Sequence, residues 1–259
     1  MLVDSHCHLN YPGLVERQDA ALDAARERGV GAFLNISTRQ SEWGEIIATA
    51  ERHSDVWATV GVHPHEADAH PDLGASALVG AAEHPRVVGI GECGLDYFYE
   101  KSDRAAQRDR FQAHVEAARA TGLPLIVHTR DAEGDTAEIL ERAVAEGGVT
   151  GVLHCFTSSA ELARRALDIG FYVSLSGIVT FKNARDLQDI AKTIPEDRLL
   201  VETDSPFLAP VPNRGKTCEP AFVADTAAFV AELRGDTFEQ LSAFTTANFY
   251  RLFNRAAHA

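Results

Sequence analysis

Two histidines two residues apart, His6 and His8 in LVDSHCHL, open a series of donor groups spread along the chain. The others are Glu92 in VVGIGECGLD, His128 in PLIVHTRD, His154 in GVLHCF and Asp204 in LLVETDSP. Each stands near the end of a short apolar run. Imidazole nitrogens and carboxylate oxygens are ligands for divalent cations, so the set reads as a metal site if the fold brings it to one point. His6 and His8 are two apart on a strand, share a face and can hold one ion. Glu92 can offer an oxygen to each of two ions, with His128 and His154 completing the site of the second. Asp204 suits a ligand that also takes a proton from water, and Glu202, facing the same way but deeper, suits support of a ligand. Two divalent cations are therefore expected. Oxygen donors accept Mg2+ and Mn2+ and imidazoles favour Zn2+, so the donor set is compatible with each.

Around these lie groups suited to protons and phosphate. His63, in GVHPHEA, ends the third apolar run and can bind a phosphoryl oxygen or protonate a leaving group; His65 follows it as a weaker candidate for substrate binding. Arg130, Arg214 and Lys216 can grip phosphate oxygens, as can Lys182 and Asn183 after the seventh run. Tyr97, Phe98 and Tyr99 are able to stack on a base or pack a loop. His53, His70, His84, His114 and His258 fall in helical or loop text and are expected to have no function.

Positioning these groups requires strands whose ends meet. Runs rich in Val, Ile and Leu begin at Leu2, Gly31, Val56, Val87, Pro124, Thr150, Phe171 and Leu199, as strands buried on both faces require. Amphipathic stretches separate them: about 14–28, 104–121, 133–146 and 160–169, each running into a glycine. Glycine past the last turn is a helix stop. Eight strand–helix units predict an α/β fold, a (β/α)8 TIM-type barrel forming a single domain over 1–259, with all strand ends on one rim. An open doubly wound sheet is the alternative, and no Gly-rich dinucleotide fingerprint follows the first strand. The tail, about 222–254, reads as one or two helices closing the barrel, with Phe229, Leu233, Phe244, Phe249 and Phe253 in the core.

The formal charge is −14. That argues against broad, non-specific wrapping of nucleic acid, but bound cations can reverse the field locally. No run reaches the roughly 18 apolar residues of a membrane span. The first strand begins at Leu2 and carries His6, so no cleaved leader is expected. Cys7, Cys93 and Cys155 alternate with inward-facing donors and are expected to point outward as reduced thiols, and Cys218 falls in a late loop. With few cysteines, this favours the cytoplasm.

The phrases DSHCHLN, GVHPH, GIGECGLDYFY, VHTRDA, GVLHCF, GFYVSLSGIVTFKNA and LLVETDSPFLAPVPNRGK span residues 4–216 in order. Together they make the chain resemble the TatD family of metal-dependent deoxyribonucleases, within the amidohydrolase superfamily. The resemblance implies a cytoplasmic hydrolase of DNA phosphodiesters, often a 3′→5′ exonuclease, with His6, His8, Glu92, His128, His154 and Asp204 as ligands. Asp204, His63 and Glu92 would carry the catalysis, and His65, Arg130, Arg214 and Lys216 the substrate. DNA is the expected partner, with no membrane, and the chain is expected to be a monomer or weak oligomer. One departure stands out: RGKTCEP puts Thr217 and Cys218 where the family carries a cation and an amide, which bears on substrate preference. The alternatives are a metal-dependent amide or ester hydrolase, including aminoacyl-tRNA ester cleavage, and a non-catalytic metal-dependent scaffold, since barrels host many reactions.

Overall fold

The computed structural model describes residues 1–257; His258 lies outside them. Eight parallel strands follow one another in chain order, each paired with the next: β1 (Leu2–Cys7), β2 (Val30–Asn35), β3 (Val56–Val60), β4 (Val87–Asp96), β5 (Leu125–Arg130), β6 (Gly151–Leu153), β7 (Tyr172–Leu175) and β8 (Leu199–Val201). Seven helices occupy the connections: α1 (Gln18–Glu27), α2 (Trp43–Arg52), α3 (Ala75–Ala81), α4 (Arg104–Thr121), α5 (Glu133–Gly147), α6 (Ala160–Asp168) and α7 (Arg185–Thr193). Two more, α8 (Val223–Arg234) and α9 (Phe238–Leu252), follow β8. This is the expected (β/α)8 barrel.

The helix boundaries follow local chemistry. The Asp103 carboxylate accepts the N–H groups of Ala105 and Ala106 to start α4, and Gly122 ends it with φ 69°. A Thr237–Gln240 capping box starts α9. The stretch from residue 14 to 28 is not one helix. A 3-10 turn, Val15–Arg17, precedes α1, because Arg17 (φ −141°) leaves helical geometry.

Strand side chains alternate between two apolar layers. Phe33, Val56, Leu125, Val127, Val173 and Val201 join the layer packed under the helices. Val3, Leu34, Trp57, Val88, Ile126, Val152, Tyr172 and Leu200 fill the lumen near the strand starts, where Phe249, Leu252 and Phe253 of the tail plug the barrel from below. The tail is thus two helices, with Phe229, Leu233 and Phe244 half-buried against the outer layer. An apolar floor leaves the opposite, C-terminal end of the barrel for polar groups.

Cys7 and Cys93 lie in the outer layer as expected, their thiols donating to the carbonyls of Leu34 and Ile126. Cys155 does not. β6 stops at Leu153, so alternation no longer governs residue 155, whose left-handed backbone (φ 42°) places Sγ 3.2 Å from the Ser176 hydroxyl. Among the described residues no helix is long and apolar enough to cross a membrane.

His114, on α4, has a structural duty. Its Nε2 accepts the Val62 N–H at 2.9 Å and its Nδ1–H donates to the Arg110 carbonyl at 2.7 Å, and burial lowers its pKa to about 4. Both nitrogens are occupied only while the ring is neutral. Because the unfolded histidine protonates near pH 6.5 and the folded one near 4, stability is full above pH 6.5 and falls as the pH drops from there towards 4. In urea titrations at pH 7 and pH 5, wild type should lose about 2 kcal/mol more than His114→Gln; equal losses would remove this role.

Candidate metal centre

The donor groups cluster where the barrel closes. Asp204, beyond the end of β8, donates its N–H to the His6 carbonyl at 2.9 Å, and the His8 N–H donates to the Ser205 carbonyl at 2.8 Å. Beneath, the Asp4 carboxylate accepts the Thr203 N–H at 2.9 Å and its hydroxyl at 2.6 Å. The bonds that seal β1 to β8 therefore also fix the side chains of His6, His8 and Asp204. Glu92 and His128 lie within β4 and β5, and His154 directly follows β6. Close approach of β4 to β5 needs glycine on both sides of Glu92. At Gly91 (φ 149°) a Cβ would lie 2.6 Å from the Ile126 carbonyl oxygen, and at Gly94 (φ 123°) 2.0 Å from that of His128.

The two oxygens of Glu92 face two different sets of nitrogens. Oε2 lies 3.5 Å from His6 Nε2 and 3.9 Å from His8 Nε2, while Asp204 Oδ1 lies 3.7 and 3.3 Å from the same two atoms. The His6 and His8 Nε2 atoms are 3.3 Å apart. Four donors about 2.1 Å from one tetrahedral ion stand about 3.4 Å from each other, so this spacing fits a cation. Oε1 lies 2.9 Å from His154 Nε2, 3.5 Å from His128 Nδ1 and 3.3 Å from His63 Nε2. Three groups of donor atoms lie close enough together to surround an ion, His6–His8–Glu92, His63–Glu92–His128 and His6–His154–Glu202, though in the second the His63 ring does not present a lone pair.

Hydrogen bonds on the far sides of the rings decide which nitrogens are free. His154 Nδ1 is 3.3 Å from Glu202 Oε1, so when the ring is neutral its proton sits on Nδ1 and Nε2 is the nitrogen left to face Glu92. His128 Nε2 is 3.1 Å from Asp96 Oδ2, which leaves Nδ1 to face Glu92. A carboxylate behind a ligating imidazole both orients the ring and sets its tautomer. His63 is arranged the other way: Nδ1 accepts the His65 N–H at 3.0 Å, so Nε2 carries the proton towards Glu92. It offers the cluster a donor rather than a lone pair. Two buried atoms, His6 Nδ1 and Glu202 Oε2, have no hydrogen-bond partner.

Charge in the cluster is one-sided. Among the described residues, the ion-pair partners of Glu92, Asp96, Glu202 and Asp204 are all imidazoles. Burial alone would raise the Glu92 carboxyl, but His154, His63 and His128 outweigh it and hold the group well below the usual carboxylate range. Asp204 is likewise lowered, by His8 and His6 against burial. Burial disfavours the His154 imidazolium, yet Glu92 and Glu202 raise its pKa well above the ordinary value. His63 lacks comparable support, and burial takes it down to about 4. The pocket thus favours positive charge at its centre and a neutral His63 at its edge.

Asp96 is the residue that sequence reasoning missed. Its Oδ2 receives both His128 Nε2 and His65 Nε2, the latter at 2.8 Å, and its Oδ1 accepts the N–H groups of Phe98 and Tyr99. His65 is therefore tied to Asp96 rather than to Glu92. Arg130, the last residue of β5, and Arg214 and Lys216, on the loop after β8, are exposed at the strand C-termini, and none has a carboxylate partner among the described residues; Lys216 Nζ donates to the Asn213 side chain, and Arg214 lies 4.0 Å over the Phe181 ring. Cys218 is fully buried, which removes it from contact with substrate, whereas Thr217 is exposed.

The sequence model of the family described as TatD related DNase matches residues 3–254. The chain is a member of the TatD family. It is 45% identical over 257 residues to an uncharacterized metal-dependent hydrolase, YcfH, of Escherichia coli K12, covering 98% of this chain and 96% of that one. To a protein of Erwinia tasmaniensis named 3′-5′ ssDNA/RNA exonuclease TatD it is 34% identical, covering 98% and 100%. The crystal structure of the TatD homologue YJJV from E. coli K12 superimposes with a TM-score of 0.92 at 28% identity, covering 98% of both chains. Membership makes this a metal-dependent hydrolase, in keeping with the donor cluster. If Glu202 and Asp96 hold His154 and His128 in metal-binding tautomers, Glu202→Ala and Asp96→Asn should each weaken cation affinity about 10- to 100-fold. Competition with a chromogenic chelator measures this; unchanged affinity in both variants would detach these imidazoles from the metal.

Proposed function

We propose that this protein hydrolyses nucleic-acid phosphodiester bonds, DNA foremost, as a 3′→5′ exonuclease dependent on two divalent cations, which His6, His8, Glu92, His128, His154 and Asp204 would hold. The observation carrying this reading is the division of the Glu92 carboxylate, one oxygen towards His6, His8 and Asp204 and the other towards His128 and His154. When bound, such cations supply Lewis acidity towards phosphoryl oxygens and acidify water.

The chain's own groups complete the chemistry. Asp204, ionised at neutral pH, accepts the proton of the attacking water. His63, neutral and with its proton on Nε2, stabilises the developing negative charge by donating a hydrogen bond. A ring whose pKa is about 4 is not protonated at pH 7, so stabilisation rather than proton delivery is its part. Arg130, Arg214 and Lys216, free of carboxylate partners among the described residues, orient backbone phosphates. In a chain of charge −14 such cations gathered on one rim favour an anionic substrate over a neutral amide or ester.

The test is an assay of chelator-treated and metal-restored protein against single-stranded DNA, duplex DNA, RNA, and simple esters and amides, with product lengths resolved. Shortening of DNA from its 3′ end, abolished by chelation and restored by metal, is expected. Glu92→Gln should fall to the level of the no-enzyme control. Cleavage of esters or amides with none of phosphodiesters would overturn the reading, as would full activity in Glu92→Gln.

A further inference from the structure

The lower end of the barrel, opposite the metal centre, carries a hollow of its own. Its volume is about 360 Å³, and it lies between the segments that lead into β5, β6, β7 and β8 and the end of α9. Leu123, Val149, Tyr172 and Leu252 give it a buried apolar lining. Thr150, Arg251 and Asn254 are exposed, so the hollow is open to solvent. Small-molecule sites are concave and largely apolar with a few polar groups, and span roughly 300–1,000 Å³. This one falls at the small end of that range.

Its polar groups are basic. Arg119 of α4, Arg198 just before β8 and Arg251 of α9 all line the same hollow, in a chain whose formal charge is −14. An arginine in the last turn of a helix complements the helix dipole, which accounts for Arg119 and Arg251 taken singly. It does not account for their convergence with Arg198, which belongs to a three-residue 3-10 turn.

The fold does not neutralise these cations. Arg251 has no carboxylate partner among the described residues and donates to the Asn248 side-chain oxygen at 2.6 Å. Arg119 meets Glu146 at 3.3 Å and Arg198 meets Asp197 at 2.9 Å, but both carboxylates are more than half exposed, where such pairs hold weakly. Arg119 Nε is buried without a hydrogen-bond partner. A side chain at position 147 would crowd that nitrogen, since a Cβ on Gly147 would stand 3.0 Å from it.

We propose that this hollow binds a small organic phosphate of mononucleotide size, its phosphate held by Arg119, Arg198 and Arg251 and the remainder by the apolar lining. A guanidinium pairs two N–H groups with two phosphate oxygens, and a terminal phosphate, with charge near −2 and three free oxygens, answers several guanidiniums at once. A carboxylate offers two oxygens and one charge, too little for three cations. The bound ligand would tie α9, which plugs the barrel, to the segments entering β5, β6 and β8, and so stabilise the lower end. The site shares no residue with the metal centre and is independent of the reaction there.

The experiment follows amide hydrogen exchange by mass spectrometry in the metal-replete protein as deoxyadenosine monophosphate, deoxyadenosine or inorganic phosphate is added. The monophosphate should slow exchange within residues 119–123 and 248–254. The concentration giving half of this effect should rise about 10- to 100-fold in Arg119→Gln and in Arg251→Gln, the effect of losing a charged hydrogen-bonding group. Arg164→Gln, on the exposed side of α6, should match wild type. Deoxyadenosine should slow nothing in these segments, and inorganic phosphate should need a higher concentration than the ester. Arg251 is exposed, so its variant keeps the fold even if Arg119→Gln does not, and exchange elsewhere without ligand verifies this. No slowing in either segment, slowing that Arg251→Gln leaves as strong, or deoxyadenosine or inorganic phosphate acting as well as the monophosphate would each overturn the proposal.

Discussion

Burying carboxylates without arginine or lysine beside them is the constraint to which the rest of this barrel answers. Glu92 is 2% exposed, Glu202 and Asp96 are fully buried, and Asp204 lies at the edge of the same pocket. An uncompensated buried charge is strongly destabilising. Imidazoles alone compensate only by taking up protons, which is why His154 is driven so far above its ordinary pKa. Cations of charge two satisfy the same oxygens while leaving the rings neutral, and the tautomers set by Asp96 and Glu202 present lone pairs for that purpose. The cluster is a poor structural core and a good metal site.

The fold supplies what such a cluster needs. Phe249, Leu252 and Phe253 close the lower end with apolar packing, so the polar groups are confined to the upper rim. The seam between β1 and β8 runs through the His6 carbonyl and the His8 N–H, which makes closure of the barrel and placement of these donors one event. Glycines at 91 and 94 let β4 press against β5 and carry Glu92 to the middle of the cluster.

Much of this was legible in the sequence because the donors have distinctive types and stand at the ends of strands that alternate with helices. His6, His8, Glu92, His128, His154 and Asp204 needed only the barrel to bring them together. Glu202 was readable as a support from its two-residue spacing to Asp204. Asp96 was not, because its partners His128 and His65 come from β5 and the loop after β3, and strand pairing of Asp96 with Arg130 is a matter of register. Cys155 was misplaced because the length of β6 is decided by tertiary packing and not by its apolar run. Which end of the barrel the tail plugs was likewise invisible, since a row of phenylalanines says only that it is buried.

The measurement that bears most directly on the account is anomalous diffraction from crystals of the protein supplied with Mn2+ or Zn2+. The account predicts two peaks about 3.5–4 Å apart, with Glu92 reaching both. His6, His8 and Asp204 should surround one and His128 and His154 the other. A single peak, or two that leave Glu92 uncoordinated, would contradict it.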